Sequence, residues 1–428
     1  MIYVVQQGDT LAGIAQEFGV SVARLRSDNG LLTQQPLVPG QALVILIPAE
    51  TYEVQPGDDL FQIAGTVGVD VLTLLQYNPV LAQGQPIQPG QLLTVRLKGE
   101  APNLGPFIVG GYAYPHIRQS VLRQAMPFLT RLAIFSYGFR EDGTLVPPQD
   151  EELLGEARLF GAVPVLVLTS IDDSGNFSTE RASRLFQDQA LQNQVLDRLI
   201  GVMEEKGYRG LESDFEYIQP EDADAYFAFL GNARDRLHAR GMFLQADLAP
   251  KTFARQPGLL YEAHNYPIIG DIADWVLLMT YEWGYAYGPP MAVAPLPQVE
   301  QVLRYGVSEI PAYKIQMGVP NYGYDWILPY DPARRATTLG NQEAVLLAAQ
   351  MGAAIQYDET AQSPFFTYLL EGQEHIVWFE DARSIQAKFR LAENLALGGA
   401  AYWNLLRTFP QNWALLSQEV AIRREEPI

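Results

Sequence analysis

Three carboxylates occupy alternate positions near the middle of the chain, in Gly210-Leu211-Glu212-Ser213-Asp214-Phe215-Glu216. Alternate side chains of an extended strand share a face. Glu212, Asp214 and Glu216 therefore project together, and Leu211, Ser213 and Phe215 project the other way. Acids crowded on one face raise one another's pKa, and burial adds to the effect. A carboxylic acid kept protonated in this way near neutral pH is what a general acid requires. The competing reading is a solvated or calcium-binding acidic strand end.

Other chemistries are poorly supplied. The 428 residues contain no cysteine, which removes thiol nucleophiles, disulfides and cysteine-ligated metal sites. The four histidines (His116, His238, His264, His375) show no ligand-pair spacing, so no metal and no cofactor is expected. A formal charge of −20 would be repelled by nucleic acid and by anionic membranes. No run approaches the ~20 apolar residues of a membrane helix, so no membrane insertion is expected. The opening MIYVVQQGDTLAGIA lacks a basic stretch followed by an apolar one, so it does not read as a secretory signal.

The strand that carries the acids needs a scaffold. Apolar strand-like runs at 107–112, 131–137, 163–170, 210–216, 243–248, 275–281, 315–322 and 399–404 alternate with helical stretches such as 190–206 and 221–240. Alternation of this kind predicts an α/β fold with a parallel sheet, and eight repeats close into a (β/α)8 TIM barrel. Active sites of such barrels lie at the C-terminal ends of the strands. The gap between the seventh and eighth runs is too long for one helix. A small α+β insertion is expected at about 324–380, with a strand at 373–379.

Before the barrel the sequence repeats itself. Tyr3-Val4-Val5-Gln6-Gln7-Gly8-Asp9-Thr10-Leu11 returns as Tyr52-Glu53-Val54-Gln55-Pro56-Gly57-Asp58-Asp59-Leu60, and Ile14-Ala15 returns as Ile63-Ala64. Asp28-Asn29 matches Tyr77-Asn78, and Val38-Pro39-Gly40-Gln41 matches Ile87-Gln88-Pro89-Gly90-Gln91. Each copy predicts strand, helix, helix, strand, with the Gly-Asp pair as turn and helix cap. The expected division is a first module at 1–47, a second at 51–98, a linker at 99–106 and the barrel at 107–428.

Each copy resembles the LysM module, through V-x-x-G-D-x-L-x-x-I-A followed by P-G-Q. LysM modules bind N-acetylglucosamine-containing glycans in a groove between the strand–helix and helix–strand loops. The resemblance implies contacts near Gly8, Asp9, Thr10, Leu11 and residues 37–40. In the second copy it implies contacts near Gly57, Asp58, Asp59, Leu60 and residues 87–90. As turn and cap residues, the same positions have an equally ordinary explanation.

The acidic strand resembles the end of the D-G-x-D-x-D-x-E signature of family 18 glycoside hydrolases. Met279-Thr280-Tyr281-Glu282 resembles the family's sixth-strand segment, and Ala401-Tyr402-Trp403-Asn404 its eighth-strand tryptophan. Residues 279–296 and 402–413 look most like members that act in spore cortex lysis and germination. The resemblance implies substrate-assisted, retaining hydrolysis. Glu216 would protonate the glycosidic oxygen, Asp214 would hold the substrate's acetamido N–H, and Tyr281 its acetamido oxygen. Trp403 would floor the sugar subsite. Glu212, Glu282, Asn321, Tyr322 and Trp283 would contact substrate or line the cleft, together with Tyr324, Tyr285, Tyr287 and Trp326.

The expected function is thus a peptidoglycan N-acetyl-β-D-glucosaminidase, tethered to glycan strands by the modules and associated with spore cortex, coat or cell wall. A glycan-binding lectin-like protein and a chitinase remain open alternatives. Two positions depart from the signature: Arg209 stands where it has its first aspartate, and Glu212 where it has its middle one.

Overall fold

The computed structural model describes residues 1–99, 104–172 and 174–425. Part of the expected linker, residues 100–103, lies outside the described residues. Eight parallel strands form the barrel: β1 Leu104–Ala113, β2 Arg131–Phe139, β3 Val163–Thr169, β4 Gly210–Asp214, β5 Phe243–Leu248, β6 Trp275–Leu278, β7 Ile315–Pro320 and β8 Gly399–Trp403. Each pairs with the next, and β8 pairs with β1, which closes the sheet. Closure leaves the barrel without an edge.

The strands stop short of several sequence expectations. β4 ends at Asp214 and β6 at Leu278, so Glu216 and Tyr281 sit on the loops beyond their strands. Leu211, Phe215 and Ser213 face the helical layer, where the Ser213 hydroxyl lies 3.2 Å from the Tyr226 hydroxyl. Glu212 and Asp214 face the barrel axis, as period-two alternation requires.

The insertion is a five-stranded antiparallel sheet covered by helix Asn341–Met351. Its strands Gly323–Leu328 and Gln373–Trp378 pair at the centre, with Tyr324 opposite Trp378. Val345, Ala348, Phe366, Val377 and Phe379 fill a small second core, which Val38 of the first N-terminal module also enters.

The first N-terminal module has the predicted strand–helix–helix–strand order, and the second adds a short third helix, Pro79–Ala82, before its closing strand. Ile2–Val4 pairs with Ala42–Val44 and Pro48–Glu53 with Leu92–Leu97. The repeated asparagines explain themselves. Asn29 clamps Val44 through its N–H and carbonyl and also reaches Leu25, and Asn78 does the same with Thr94 and Leu74. Asp9 and Asp58 are not the helix caps the sequence predicts. Their carboxylates fold back to the amides of Gln6 and Gln55 and to the Tyr3 and Tyr52 hydroxyls. The next residues, Thr10 and Asp59, cap the helices by accepting from Gly13 and Gln62.

Candidate active site

A column of polar side chains is stacked in layers inside the barrel, beside an apolar cluster that includes Phe135, Val165, Val167 and Leu277. At the bottom Arg131 is buried, pairs with Glu425 at 2.5 Å and lies over the rings of Phe243 and Trp275. Its guanidinium reaches Gln245 at 3.4 Å, and Gln245 also accepts from Gln316 at 2.7 Å. One layer up, Glu212 accepts hydrogen bonds from Gln245 and from the Tyr112 hydroxyl. That hydroxyl also lies 2.9 Å from the Asp247 carboxylate. Asp214 caps this stack at the end of β4, and Glu216 stands two residues further along.

Five carboxylates, Glu212, Asp214, Glu216, Asp247 and Glu282, thus share one site. Burial raises the pKa of Asp214 well above its usual range, and the charges of Glu216 and Glu212 add to this. Asp247 is raised in the same way by burial, then by Glu212 and Asp214. Glu212 is raised by burial, against the opposing pull of its hydrogen bonds. Glu216 is pushed up to about 7, by burial first and by the charge of Glu282 second. Crowded acids of this kind cannot all ionise at once, so protons remain among them at neutral pH.

The upper wall comes from the insertion. Tyr322 and Tyr324 both donate to the same carboxylate oxygen of Glu282, Tyr324 at 2.9 Å. Glu282 has a positive φ of 70° although it is not glycine, a strained conformation in which its carboxylate meets the Tyr322 and Tyr324 hydroxyls. Trp403, at the end of β8, is half-buried and held edge-on by Tyr112, Tyr114 and Phe135, at centroid distances of 5.3, 6.0 and 5.0 Å. Tyr281 is half-buried beside it, and burial with the surrounding acids keeps its hydroxyl protonated.

Asp214, Glu216, Tyr281, Glu282 and Trp403 are therefore brought together. Other expected contact residues are placed elsewhere. Glu212 is only 1% exposed, walled off from the cleft by its hydrogen-bonding partners. Asn321 is also buried, and its amide donates to the carbonyls of Asn404 and Arg407, so it pins the loop after β8 instead of lining the cleft. Tyr322 and Trp326 are buried in the insertion's packing, and Trp326 donates to Gly288. Of these two side chains, it is the Tyr322 hydroxyl that serves the site, through Glu282. Trp283 packs partly against the barrel core, while Tyr285 and Tyr287 remain exposed on the same loop. Arg209 precedes β4 at its bottom end, about 16 Å of strand below Asp214 at ~3.3 Å per residue. That departure from the signature does not touch the acids.

Asp247, Tyr112 and His264 belong to this site and were not singled out in the sequence. Asp247 had one signal, a lone acid at an inward-facing position of an apolar strand.

The fold and the acid cluster define a glycoside hydrolase barrel, and comparison with known proteins agrees. Residues 163–407 match the family described as Glycosyl hydrolases family 18, and residues 3–46 and 52–96 match the LysM domain. The chain belongs to glycosyl hydrolase family 18 and carries two LysM domains. It is 40% identical to the Cortical fragment-lytic enzyme of Bacillus subtilis, over 98% of this chain and 97% of that protein. It is 32% identical to the Putative sporulation-specific glycosylase YdhD of the same organism, over 99% of both. Among solved structures it resembles the Bacillus cereus spore cortex-lytic enzyme SleL, with a TM-score of 0.83 and 38% identity over 99% of this chain and 98% of that one.

Proposed function

We propose that this protein hydrolyses peptidoglycan, specifically that of the spore cortex, as an N-acetylglucosaminidase. The observation that carries the reading is the acid cluster at the head of β4, where buried Asp214 ends the strand and Glu216 follows two residues on, with burial and Glu282 pushing its pKa up to about 7. Full-length likeness to proteins named for cortex lysis supports the choice of polymer. The LysM domains support retention on N-acetylglucosamine-containing strands, and with them an association with spore cortex or cell wall.

In this reading Glu216 gives its proton to the glycosidic oxygen as the bond to the anomeric carbon breaks. The carbonyl oxygen of the substrate's own 2-acetamido group attacks that carbon and forms an oxazolinium. Asp214 accepts the acetamido N–H and balances the positive charge, and Tyr281 donates to the acetamido oxygen. Water then opens the ring, with the Glu216 carboxylate taking its proton back, so configuration is retained. Trp403 offers its face to the apolar side of the sugar. Glu282 holds the pKa of Glu216 up.

The test is digestion of purified vegetative and cortex peptidoglycan, with products read by mass spectrometry, beside Glu216→Gln. New N-acetylglucosamine reducing ends from cortex with the parent, and none with the variant, are expected. Muramic acid reducing ends, or equal cleavage by the variant, would overturn the assignment.

A further inference from the structure

The two LysM domains share a fold but not a situation. Their helix–strand loops correspond residue for residue. Val38 N–H donates to the Gln41 side chain and Gln88 N–H to that of Gln91, while Gly40 N–H donates to Val5 and Gly90 N–H to Val54, both at 2.8 Å. Val38 therefore corresponds to Gln88, Pro39 to Pro89 and Gly40 to Gly90. This shifts the alignment read from sequence by one position at Val38.

In the first domain this loop is covered by the rest of the protein, with Val38 buried and Pro39 and Gly40 half-buried. Val38 is 3% exposed and packs with Leu339, Val345, Ile355, Phe366 and Val377 of the barrel insertion. The Pro39 carbonyl accepts from Ile355 N–H at 2.9 Å, and the Gly40 carbonyl from the Arg383 guanidinium at 3.1 Å. A methyl group on residue 40 would come within 1.8 Å of the Ile355 carbonyl oxygen. In the second domain the same loop is open. Gln88, Pro89 and Gly90 are exposed, and a methyl group on Gly90 would meet nothing within 4 Å. The residue types record the difference, with apolar Val38 at the contact and polar Gln88 in water.

We propose that the first LysM domain is a structural wedge that seats the insertion against the barrel, and that glycan capture falls to the second. The glycan part rests on the function proposed above; the wedge does not. A groove needs both of its loops, and one loop of the first domain is covered. The wedge also has a short route to chemistry. Val377 lies in the core that Val38 enters, on the strand whose Trp378 pairs with Tyr324, and Tyr324 holds Glu282.

Two measurements on the full chain decide this. The first is hydrogen exchange of Glu216→Gln with and without an N-acetylglucosamine pentamer. Several-fold slowing is expected at 55–60 and 87–91 and none at 6–11 and 37–41. Equal slowing in both domains, or no slowing at 55–60 and 87–91, would overturn the assignment of capture to the second domain. Cortex digestion by the parent separately reports whether the proposed function holds.

The second measurement needs no glycan. Gly40 and Gly90 have the same φ of 83°, so alanine brings the same backbone strain at either position. Gly40→Ala is expected to speed exchange of strands Ser363–Leu370 and Gln373–Trp378 several-fold, and Gly90→Ala to leave those strands as they are. Val38→Gln, which writes the second domain's residue into the first, should act as Gly40→Ala does should that variant not fold. Insertion exchange unchanged by Gly40→Ala or Val38→Gln would overturn the wedge.

Discussion

The imidazole of His264 joins the loop after β5 to the carbonyl of Phe215, the residue between Asp214 and Glu216, with Nε2 3.2 Å from that oxygen. Its other nitrogen, Nδ1, lies 2.7 Å from the Ala249 amide, which can only donate. Nδ1 must therefore accept, and the ring proton belongs on Nε2, where it donates to Phe215. This neutral ring fixes the peptide between the two central acids. Among the four histidines it is a positioning residue.

Burial pushes His264 down to about 4 from an ordinary 6.5. The unfolded chain therefore takes up a proton as pH falls through 6.5, and the folded chain does so only near 4. The stability contributed by the neutral ring is complete above pH 6.5 and is lost on the way down to 4. The unfolding free energy of the parent should exceed that of His264→Gln at pH 7.5. The gap should shrink by about 3 kcal/mol by pH 4, read from urea midpoints. A gap independent of pH would count against the neutral ring.

The sequence made the barrel and the acid strand legible for one reason: their signals are local. Alternation along 210–216 and apolar runs separated by helical patterns survive in a linear reading. What was not legible arises from closure. Tyr112 on β1 meets Glu212 on β4 and Asp247 on the neighbouring β5 only because the sheet curls round on itself. The signature's middle aspartate is replaced by a residue one methylene longer, and that residue reaches Gln245 and Tyr112, which the sequence keeps far apart. Asn321 and Trp326 looked like cleft residues because both are polar or aromatic and follow β7. In the structure Asn321 satisfies loop carbonyls and Trp326 packs, two demands that carry no sequence pattern.

Glu282 is the charge that acts on Glu216 after burial itself. Glu282→Gln removes a negative neighbour, so the Glu216 carboxylate becomes easier to form and its pKa falls. A general acid is active only while protonated. The alkaline limb of kcat/KM, expected near pH 7 in the parent, should move to lower pH in the variant. A pH–rate profile on a soluble N-acetylglucosamine oligomer reads this directly, and an unmoved or higher limb would contradict the coupling.

Glu212→Gln tests the layer beneath. The amide keeps an oxygen to accept from Tyr112 and Gln245, so the shape of the stack is preserved. The variant removes a charge that raises Asp214. Asp214 should then ionise at lower pH. Because its proposed role needs the carboxylate, the acidic limb of the profile should extend downward. Loss of activity at every pH, with an unchanged melting temperature, would instead mean that Glu212 exchanges protons during turnover.

Gly318 on β7 stands where the ring of Tyr281 passes. A methyl group there would lie 2.6 Å from a Tyr281 ring carbon and 2.9 Å from the Leu278 carbonyl oxygen, both closer than contact allows. Glycine inside a strand commonly marks such a close approach. Gly318→Ala should therefore push Tyr281 off its position beside Asp214. A displacement near 1 Å at a reacting centre costs on the order of 10²-fold in rate. Tyr281→Phe keeps the ring where it is and removes only the hydroxyl. If that hydroxyl serves the acetamido oxygen, both variants should lower kcat by more than tenfold, and Gly318→Ala alone should also lower the melting temperature. A Tyr281→Phe protein with parental kcat would show that the ring packs the cleft without touching the reacting group.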